Sequence, residues 1–519
     1  MADAYKLPHP QLKSYFQRQV VGNTEVYTTK FADKQGFDNS VDDWNRYLTK
    51  HLTDWPSLLE FELHMQSKIG PLSYMVPLRE RIPGIIEYYE DVKGEWLPVD
   101  PQAIQRVAEK WGASNRLMLA SIEQVIDQMK KSTNSGSPYF TKRRLVLERG
   151  LVGVVVREGD KWYTITPDGK YRLVATLGWR GQEGGPDVTD VRQRILWMFP
   201  MDLNIREAQV YFPLVNYCQR HNYVSSWLGN DAVDRRITAL FDSKAPDDYV
   251  VGTDFTRFDQ HFGRACSDAA ASVLARLFAH TSEWDEWITD IYPAKYHIPM
   301  VYRWGKAMIG VHGMASGSGG TNGDETVAHS TFQEEAALTA GKRLNPNSMC
   351  LGDDGVLSYP GIDVDHVLEC YTAHGVVMNT DKQHVSRHDA EYLKRWHHES
   401  YRIDNVCVGV YSTMRALGKL KYMERYHDPK VWGSKAVATR ALSIIENCCY
   451  HPLRNEFLDF CIERDPFRLG LDIPGYIEHL EDEINVATAN GILGYQYTDS
   501  LSPKPAKSWW VVQALRSRK

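Results

Sequence analysis

The 519-residue sequence has no cysteine framework. Its eight cysteines, at 218, 266, 350, 370, 407, 448, 449 and 461, include no C-x-x-C pair. That excludes a disulfide scaffold and points to reduced, buried thiols in a reducing, cytosolic setting. Cys448, Cys449 and His451 fit no usual zinc spacing, so core packing is expected there. There is no long apolar run that could cross a membrane, and the opening "MADAYKLPHPQLKSYF" has no apolar signal core. There is no overall basic excess either: net charge is −6, although Lys130 to Arg236 carries a local basic surplus. A nucleic-acid partner would therefore need a locally basic channel. No internal repeat is present.

What is present is an unusual apolar stretch, "MCLGDDGVL" (349–357), with two adjacent acids in its middle. Buried charges need something to neutralise them. A second acidic pair lies in "GTDFTRFDQHFG", where Asp254 ends the short buried strand "DYVVGTD" and Asp259 follows five residues later. If those strands are neighbours, three acids meet at one place and raise each other's pKa. Hard oxygen donors of this kind suit Mg²⁺, with Mn²⁺ a possible substitute. Two such ions roughly 4 Å apart support phosphoryl transfer.

The surrounding pattern is α+β. Helical spacing is expected over Met118–Lys131, Tyr211–Ala245, Ala265–Ala279, the stretch after the 310–325 Gly/Ser loop to about Ala340, and Asp365–Ala373. Strands are expected at "LVGVVV", "KWYTI" and "YRLVATL", joined by hairpin turns at "REGD" and "TPDG", and again at "YLKRWH" and "CVGVYSTMRAL". Helices dominate after Trp432. Residues 1–60 read as an extension lying on the rest.

A lone Gly-Asp-Asp is weak, since Gly and Asp are common in surface turns. Order and spacing strengthen it. Strand-D-x4-D comes first, then Ser316, Gly317 and Thr321 as S-G-x-x-x-T opening a helix, then apolar-G-D-D-apolar. This order resembles palm motifs A, B and C of viral RNA-dependent RNA polymerases. Four further stretches resemble that family in order. "STNSGSPYF" (132–140) is similar to the template-entry loop, with Ser135, Gly136 and Pro138. "VRQRILWMFP" (191–200) is similar to the basic finger strand, with Arg192 and Arg194 on one face. "GVVMNTDKQ" (375–383) supplies Lys382, and "YLKR" (392–395) supplies Lys394 and Arg395 as a primer grip. Within the family the chain most resembles picobirnavirus polymerases, with the partitivirus group next.

The resemblance implies a right-hand fold with closed fingers and a small antiparallel palm sheet. It implies an N-terminal extension at 1–60, fingers at 61–245 and 268–303, palm at 246–267 and 304–398, and thumb and tail at 399–519. Asp254, Asp353 and Asp354 would hold metal, and Lys382 would act as proton donor. Arg192, Arg194, Asp259, Ser316, Gly317, Thr321, Asn322 and Glu325 would meet the nucleotide. Ser135, Gly136, Pro138, Lys394 and Arg395 would meet template or primer. RNA and ribonucleoside triphosphates would be partners of a monomer replicating a double-stranded RNA genome, with capsid protein a further partner. The virion interior and host cytoplasm would be its location.

One position departs from the pattern. Glu325 stands where many relatives carry Asn, or Asp in the partitivirus group. A carboxylate accepts from a ribose hydroxyl but cannot donate, and Asn322, expected on another helix face, is a candidate substitute. Two other classes compete. A reverse transcriptase usually has an aromatic where Gly352 stands and lacks an acid at Asp259. A non-enzymatic RNA-binding protein would tolerate loss of Asp353. The tail "LSPKPAKSWWVVQALRSRK" is read as folding back toward the active-site cavity, with Trp509 and Trp510 as core or docking residues rather than a base-stacking platform; His397 and His398 are read as surface or strand-edge residues.

Overall fold

In the computed structural model, residues 12–114, 116–380, 383–493 and 505–518 are described. Lys382 lies outside them. Strands β1 (Val154–Glu158), β2 (Lys161–Thr166) and β3 (Gly169–Arg172) form an antiparallel meander over the two expected turns. β4 (Ala175–Gln182) and β5 (Arg192–Met198) form a long antiparallel pair. β6 (Val250–Thr253) belongs to the central sheet. β7 (Met300–Arg303) and β8 (Lys306–Met308) extend the earlier pair in the order β5-β4-β7-β8.

The central sheet is completed by β9 (Met349–Leu351), β10 (Asp354–Leu357) and β11 (His384–Ser386), in the order β11-β6-β10-β9, every pair antiparallel. All four β6 residues are buried, as a continuous apolar run covered on both faces requires. Then come β12 (Asp389–Tyr392), β13 (Arg395–His398), the β14 (Arg402–Ile403) and β15 (Val406–Cys407) hairpin, and β16 (Val410–Tyr411), which pairs with β13. The helix Thr321–Thr339 is buried along most of its length and packs on β9 and on the helix Val364–Thr372.

Two large cores match the length of the chain. One joins residues 78–111 to the finger strands and central sheet. The other joins residues 31–65 to the C-terminal helices. The expected boundary at 60 therefore falls inside a helix, Pro56–Gln66, that packs on the C-terminal part. Its buried Glu62 accepts from the backbone N–H of Thr413 (2.8 Å) and Met414 (3.1 Å), at the start of the helix Thr413–Lys421. An acid at a helix N-terminus offsets the unpaired N–H groups there.

Several elements differ from expectation. The Met118–Lys131 helix is shorter, Ile122–Gln128, because Ser121 and Gln124 close a capping box that starts it late. Tyr211–Ala245 is two helices, Met201–His221 and Asn230–Ser243, broken where Asn222 turns left-handed (φ 51°). "YLKRWH" is the β12–β13 turn rather than one strand. "CVGVYSTMRAL" is strand only to Tyr411, since the Ser412 side chain accepts from Arg415 N–H and starts a helix. His397 is fully buried, not at the surface, and bonds Asp234 at 3.0 Å. His451, fully buried as the expected core packing requires, pairs with Glu62 at 3.0 Å.

The described tail, 505–518, is not at the cavity. Its helix Trp510–Arg516 packs in the C-terminal core, where Trp509 is buried. Glu446 receives the N–H groups of Trp510 and Val511 at 3.1 and 2.9 Å.

Candidate active site

Register brings the acids together. Gly355 pairs with Thr253 across β10 and β6. One step further along the same register sets Asp254 opposite Asp354. Asp353 is exposed at the tip of the β9–β10 hairpin. Gln383 holds the Asp254 backbone from both sides: its Oε1 accepts from Asp254 N–H (3.1 Å) and its Nε2 donates to Asp254 C=O (2.9 Å). Burial raises the Asp354 carboxyl, and the Asp353 and Asp254 charges raise it further, against the pull of Lys394. An excess of like charge in a desolvated place is what a divalent cation relieves.

The hairpin turn is held from the Thr321 helix. Gly352 has φ +59°, a left-handed conformation that favours glycine. Its N–H donates to Thr326 Oγ1 (3.0 Å), and its C=O accepts from His329 Nδ1 (2.9 Å). Burial lowers His329 to about 4, so the ring is neutral. Its remaining Nε2 then accepts from Thr253 Oγ1 at 3.2 Å. One imidazole thus fastens the hairpin to β6.

Asp259 sits on the short helix Phe258–His261 and accepts from Tyr88 Oη at 2.5 Å. Tyr88 comes from the helix Leu78–Glu90. Burial raises the Asp259 carboxyl, the Tyr88 bond and Arg194 charge oppose this, and Asp353 adds to it. Glu325 is pushed well above the ordinary glutamate value by burial and then by Asp259 and Asp353. Asn322 is not on another face. Glu325 Oε2 and Asn322 Nδ2 lie 3.3 and 3.8 Å from where a Cβ at Gly352 would stand. Asn322 Oδ1 accepts from Trp227 Nε1 at 2.6 Å.

The other expected residues divide. Arg192 and Arg194 are exposed on one face of β5, with Ile195 and Trp197 buried. Gly317 lies so close to β5 that a Cβ there would stand 1.6 Å from the Trp197 carbonyl oxygen. Ser316 Oγ approaches the Ile195 carbonyl at 3.5 Å. Thr321 Oγ1 donates to Ser318 C=O (3.1 Å), closing the helix start. Ser135, Gly136 and Pro138 are buried. Ser135 C=O accepts from Met201 N–H at 2.7 Å. Exposure in that loop belongs to Lys131–Asn134. Arg395 is likewise turned inward, making paired bonds to Asp234 at 2.9 and 3.1 Å.

Lys394 behaves differently. With Leu393 it forms a two-residue turn with both φ positive (51° and 58°), the geometry that suits a tight hairpin. It lines a cavity of about 190 Å³ with Asp254, Asp354, Arg192, Arg415 and Lys419. Glu183, just past β4, reaches into this basic cluster: Lys419 Nζ is at 3.0 Å, Arg415 Nε at 3.1 Å and Lys394 Nζ at 3.9 Å. Burial alone would raise the Glu183 carboxyl, but Lys419, Arg415 and Lys394 outweigh it and hold it well below the usual range. Sequence reasoning missed Glu183, Arg415, Lys419 and Tyr88, because each meets its partner from a distant segment.

Glu183→Gln is expected to destabilise the protein by about 2–3 kcal/mol, the scale of hydrogen bonds to charged groups. A depressed acid stabilises above its unfolded pKa, roughly 4.3, and that contribution is lost as pH falls toward the folded value. Denaturant unfolding of both proteins should therefore show the full difference at pH 7 and a shrinking one below about pH 4. A difference independent of pH in that range would remove the ion cluster as its cause.

The profile of the family described as viral RNA-dependent RNA polymerase matches residues 99–403. A potential RNA-dependent RNA polymerase of a human picobirnavirus (strain Human/Thailand/Hy005102/-) is 48% identical over 525 residues, covering 99% of this chain and 98% of that protein. Crystal structures of the RNA-dependent RNA polymerase of a human picobirnavirus and of its insertion-loop deletion mutant superpose with TM-scores of 0.93 and 0.92. Each is 48% identical, and each match covers 99% of this chain and 98% of the other. With its acids on a small antiparallel sheet inside a right-hand fold, the chain belongs to the viral RNA-dependent RNA polymerases and is similar to their picobirnavirus members.

Proposed function

We propose that this RNA-dependent RNA polymerase replicates and transcribes a double-stranded RNA viral genome by a two-metal mechanism at Asp254, Asp353 and Asp354. The observation that carries the reading is the β6–β10 register, whose last pair, Thr253 with Gly355, leaves Asp254 and Asp354 next in line at one end of the sheet with Asp353 adjoining. The donor set is all oxygen, and the Asp353 and Asp254 charges press on the partly buried Asp354, so it fits Mg²⁺. Two Mg²⁺ ions held there would activate the attacking 3′-hydroxyl and stabilise the charge of the phosphoryl transfer.

The remaining roles follow from position. Arg192 and Arg194 present positive charge to the incoming triphosphate. Asp259, with Glu325 and Asn322 nearby, faces the sugar. Lys394, Arg415 and Lys419 offer a basic wall to the growing strand. Lys382 keeps its proposed role as proton donor from the family pattern alone. The domain reading stays as stated, with the palm at 246–267 and 304–398, fingers at 61–245 and 268–303, and thumb and tail at 399–519. The extension at 1–60 continues into the helix that ends at Gln66. The protein works as a monomer near capsid protein. No helix among the described residues is long and apolar enough to cross a membrane.

The test is primer-free synthesis by purified protein on single-stranded and double-stranded RNA, with ribonucleotides and with deoxyribonucleotides. Product from ribonucleotides on both templates is expected. Activity restricted to primed templates would overturn primer-free genome replication.

Sugar choice gives a sharper result. A site that hydrogen-bonds a hydroxyl penalises an analogue lacking it, because its own polar groups are left unpaired. Asp259→Ala should lower the preference for GTP over dGTP, in kcat/KM on one template, by about 1–3 kcal/mol. Glu325→Gln should have a smaller effect, since Asn322 stands beside it and shares the role. An unmoved ratio in Asp259→Ala removes Asp259 from sugar selection.

A further inference from the structure

Ten residues beyond Glu325, or about 15 Å along the Thr321 helix, a different donor set converges. Glu335 comes from that helix, Cys370 from the Val364 helix, and His374 from just past that helix's end. One carboxylate oxygen, the Cys370 sulfur and one His374 ring nitrogen all lie within 4.8 Å of one another. Glu335 and His374 are buried, at 9% and 1% exposure.

The ring is fixed in orientation and tautomer. Phe332 stacks on it with centroids 5.1 Å apart. His374 Nδ1 meets the Leu97 carbonyl at 2.8 Å. A carbonyl only accepts, so Nδ1 carries the proton. In the neutral ring, Nε2 then turns a lone pair toward Glu335 Oε2, 2.7 Å away. The two atoms form an ion-pair contact but not an aligned hydrogen bond. Two lone pairs this close need a proton or a metal ion between them. A backbone carbonyl behind the distal ring nitrogen is also the usual support of a metal-bound histidine. His366, one turn before Cys370, is occupied by Thr339 Oγ1 (3.0 Å) and Ala336 C=O (3.1 Å).

We propose that Glu335, Cys370 and His374 form a zinc site with water as fourth ligand. A mixed sulfur, nitrogen and oxygen set suits Zn²⁺, unlike the all-oxygen set at the polymerase centre. Tetrahedral bonds of about 2.0–2.3 Å put donors roughly 3.3–3.8 Å apart, so Glu335 Oε2 and His374 Nε2, now 2.7 Å apart, would part to admit the ion while Cys370 lies within 4.8 Å of both. Binding replaces the Cys370 S–H bond with a sulfur–zinc bond and releases one proton to solvent. The site would tie the Thr321 helix to the Val364 helix and to the segment at Leu97. That supports the helix that holds Gly352, through structure rather than catalysis.

The test is Co²⁺ titration of untagged, full-length protein purified without chelator, read as thiolate-to-cobalt charge-transfer absorption. The expected band saturates at about one equivalent, is displaced by Zn²⁺ and is absent in Cys370→Ser. His374→Ala and Glu335→Gln should each weaken Co²⁺ binding roughly tenfold or more. No band in folded wild-type protein would overturn the proposal and leave a protonated His374–Glu335 ion pair. A band that persists in Cys370→Ser would overturn it by assigning the metal to another thiol. Neither outcome depends on polymerase activity.

Discussion

Asp353→Asn is expected to cut nucleotide incorporation by roughly three orders of magnitude or more, with the fold intact. Asn preserves volume and removes one charge from the three facing acids. A factor of 10³ is about 4 kcal/mol of transition-state stabilisation, a reasonable share for one carboxylate of a charged centre. Stability should not fall. Asp353 is exposed at a hairpin tip, and its charge raises the carboxyls of Asp354, Asp259 and Glu325. Removing it relieves repulsion. Single-nucleotide incorporation at saturating template, alongside thermal unfolding, gives both readings. A near wild-type rate would sink the assignment of the acids.

Asp324→Asn should do the reverse, unfolding the protein rather than slowing a folded one. Asp324 is next to Glu325 in sequence but faces the interior. It pairs with Lys295 at 2.9 Å, and both side chains have no solvent exposure. Tyr211 and Tyr296 donate to it at 2.6 and 2.9 Å, and Lys295 donates to Tyr211 at 2.6 Å and lies 4.2 Å from the Tyr292 ring centroid. Removing one partner of a buried pair leaves an uncompensated charge, which costs about 3–5 kcal/mol. Replacing both with apolar or neutral groups often restores stability. Urea unfolding should therefore show a large loss in Asp324→Asn and in Lys295→Met, and recovery of much of it in the double variant. Additive losses would mean that the two residues do not act as a pair.

The contrast between positions 324 and 325 shows where sequence reading stops. Both are acids at the start of one helix, and the motif directs attention to Glu325. Which of them is buried in an ionic cluster depends on Lys295, Tyr211 and Tyr296, from segments that spacing does not connect. The same holds for Arg395. Its neighbour Lys394 reaches the cavity, while Arg395 begins a strand whose inward face meets Asp234. In a strand, adjacent side chains take opposite faces, so only knowledge of where the strand starts separates the two roles.

By itself, the sequence determined the class of the protein and singled out the acids proposed for its centre. A strand ending in Asp254, a Gly/Ser loop before a helix, and a hairpin carrying Asp353 and Asp354 are local patterns, each set by backbone propensity and apolar periodicity. Local patterns survive in a one-dimensional string. Tertiary structure alone decided which charges are paired. Tyr88 with Asp259, Glu183 with Arg415 and Lys419, Asp324 with Lys295, and Glu335 with His374 join residues far apart in the chain. The physical reason is that such a contact depends on how whole elements pack, and packing leaves no periodic trace at either partner.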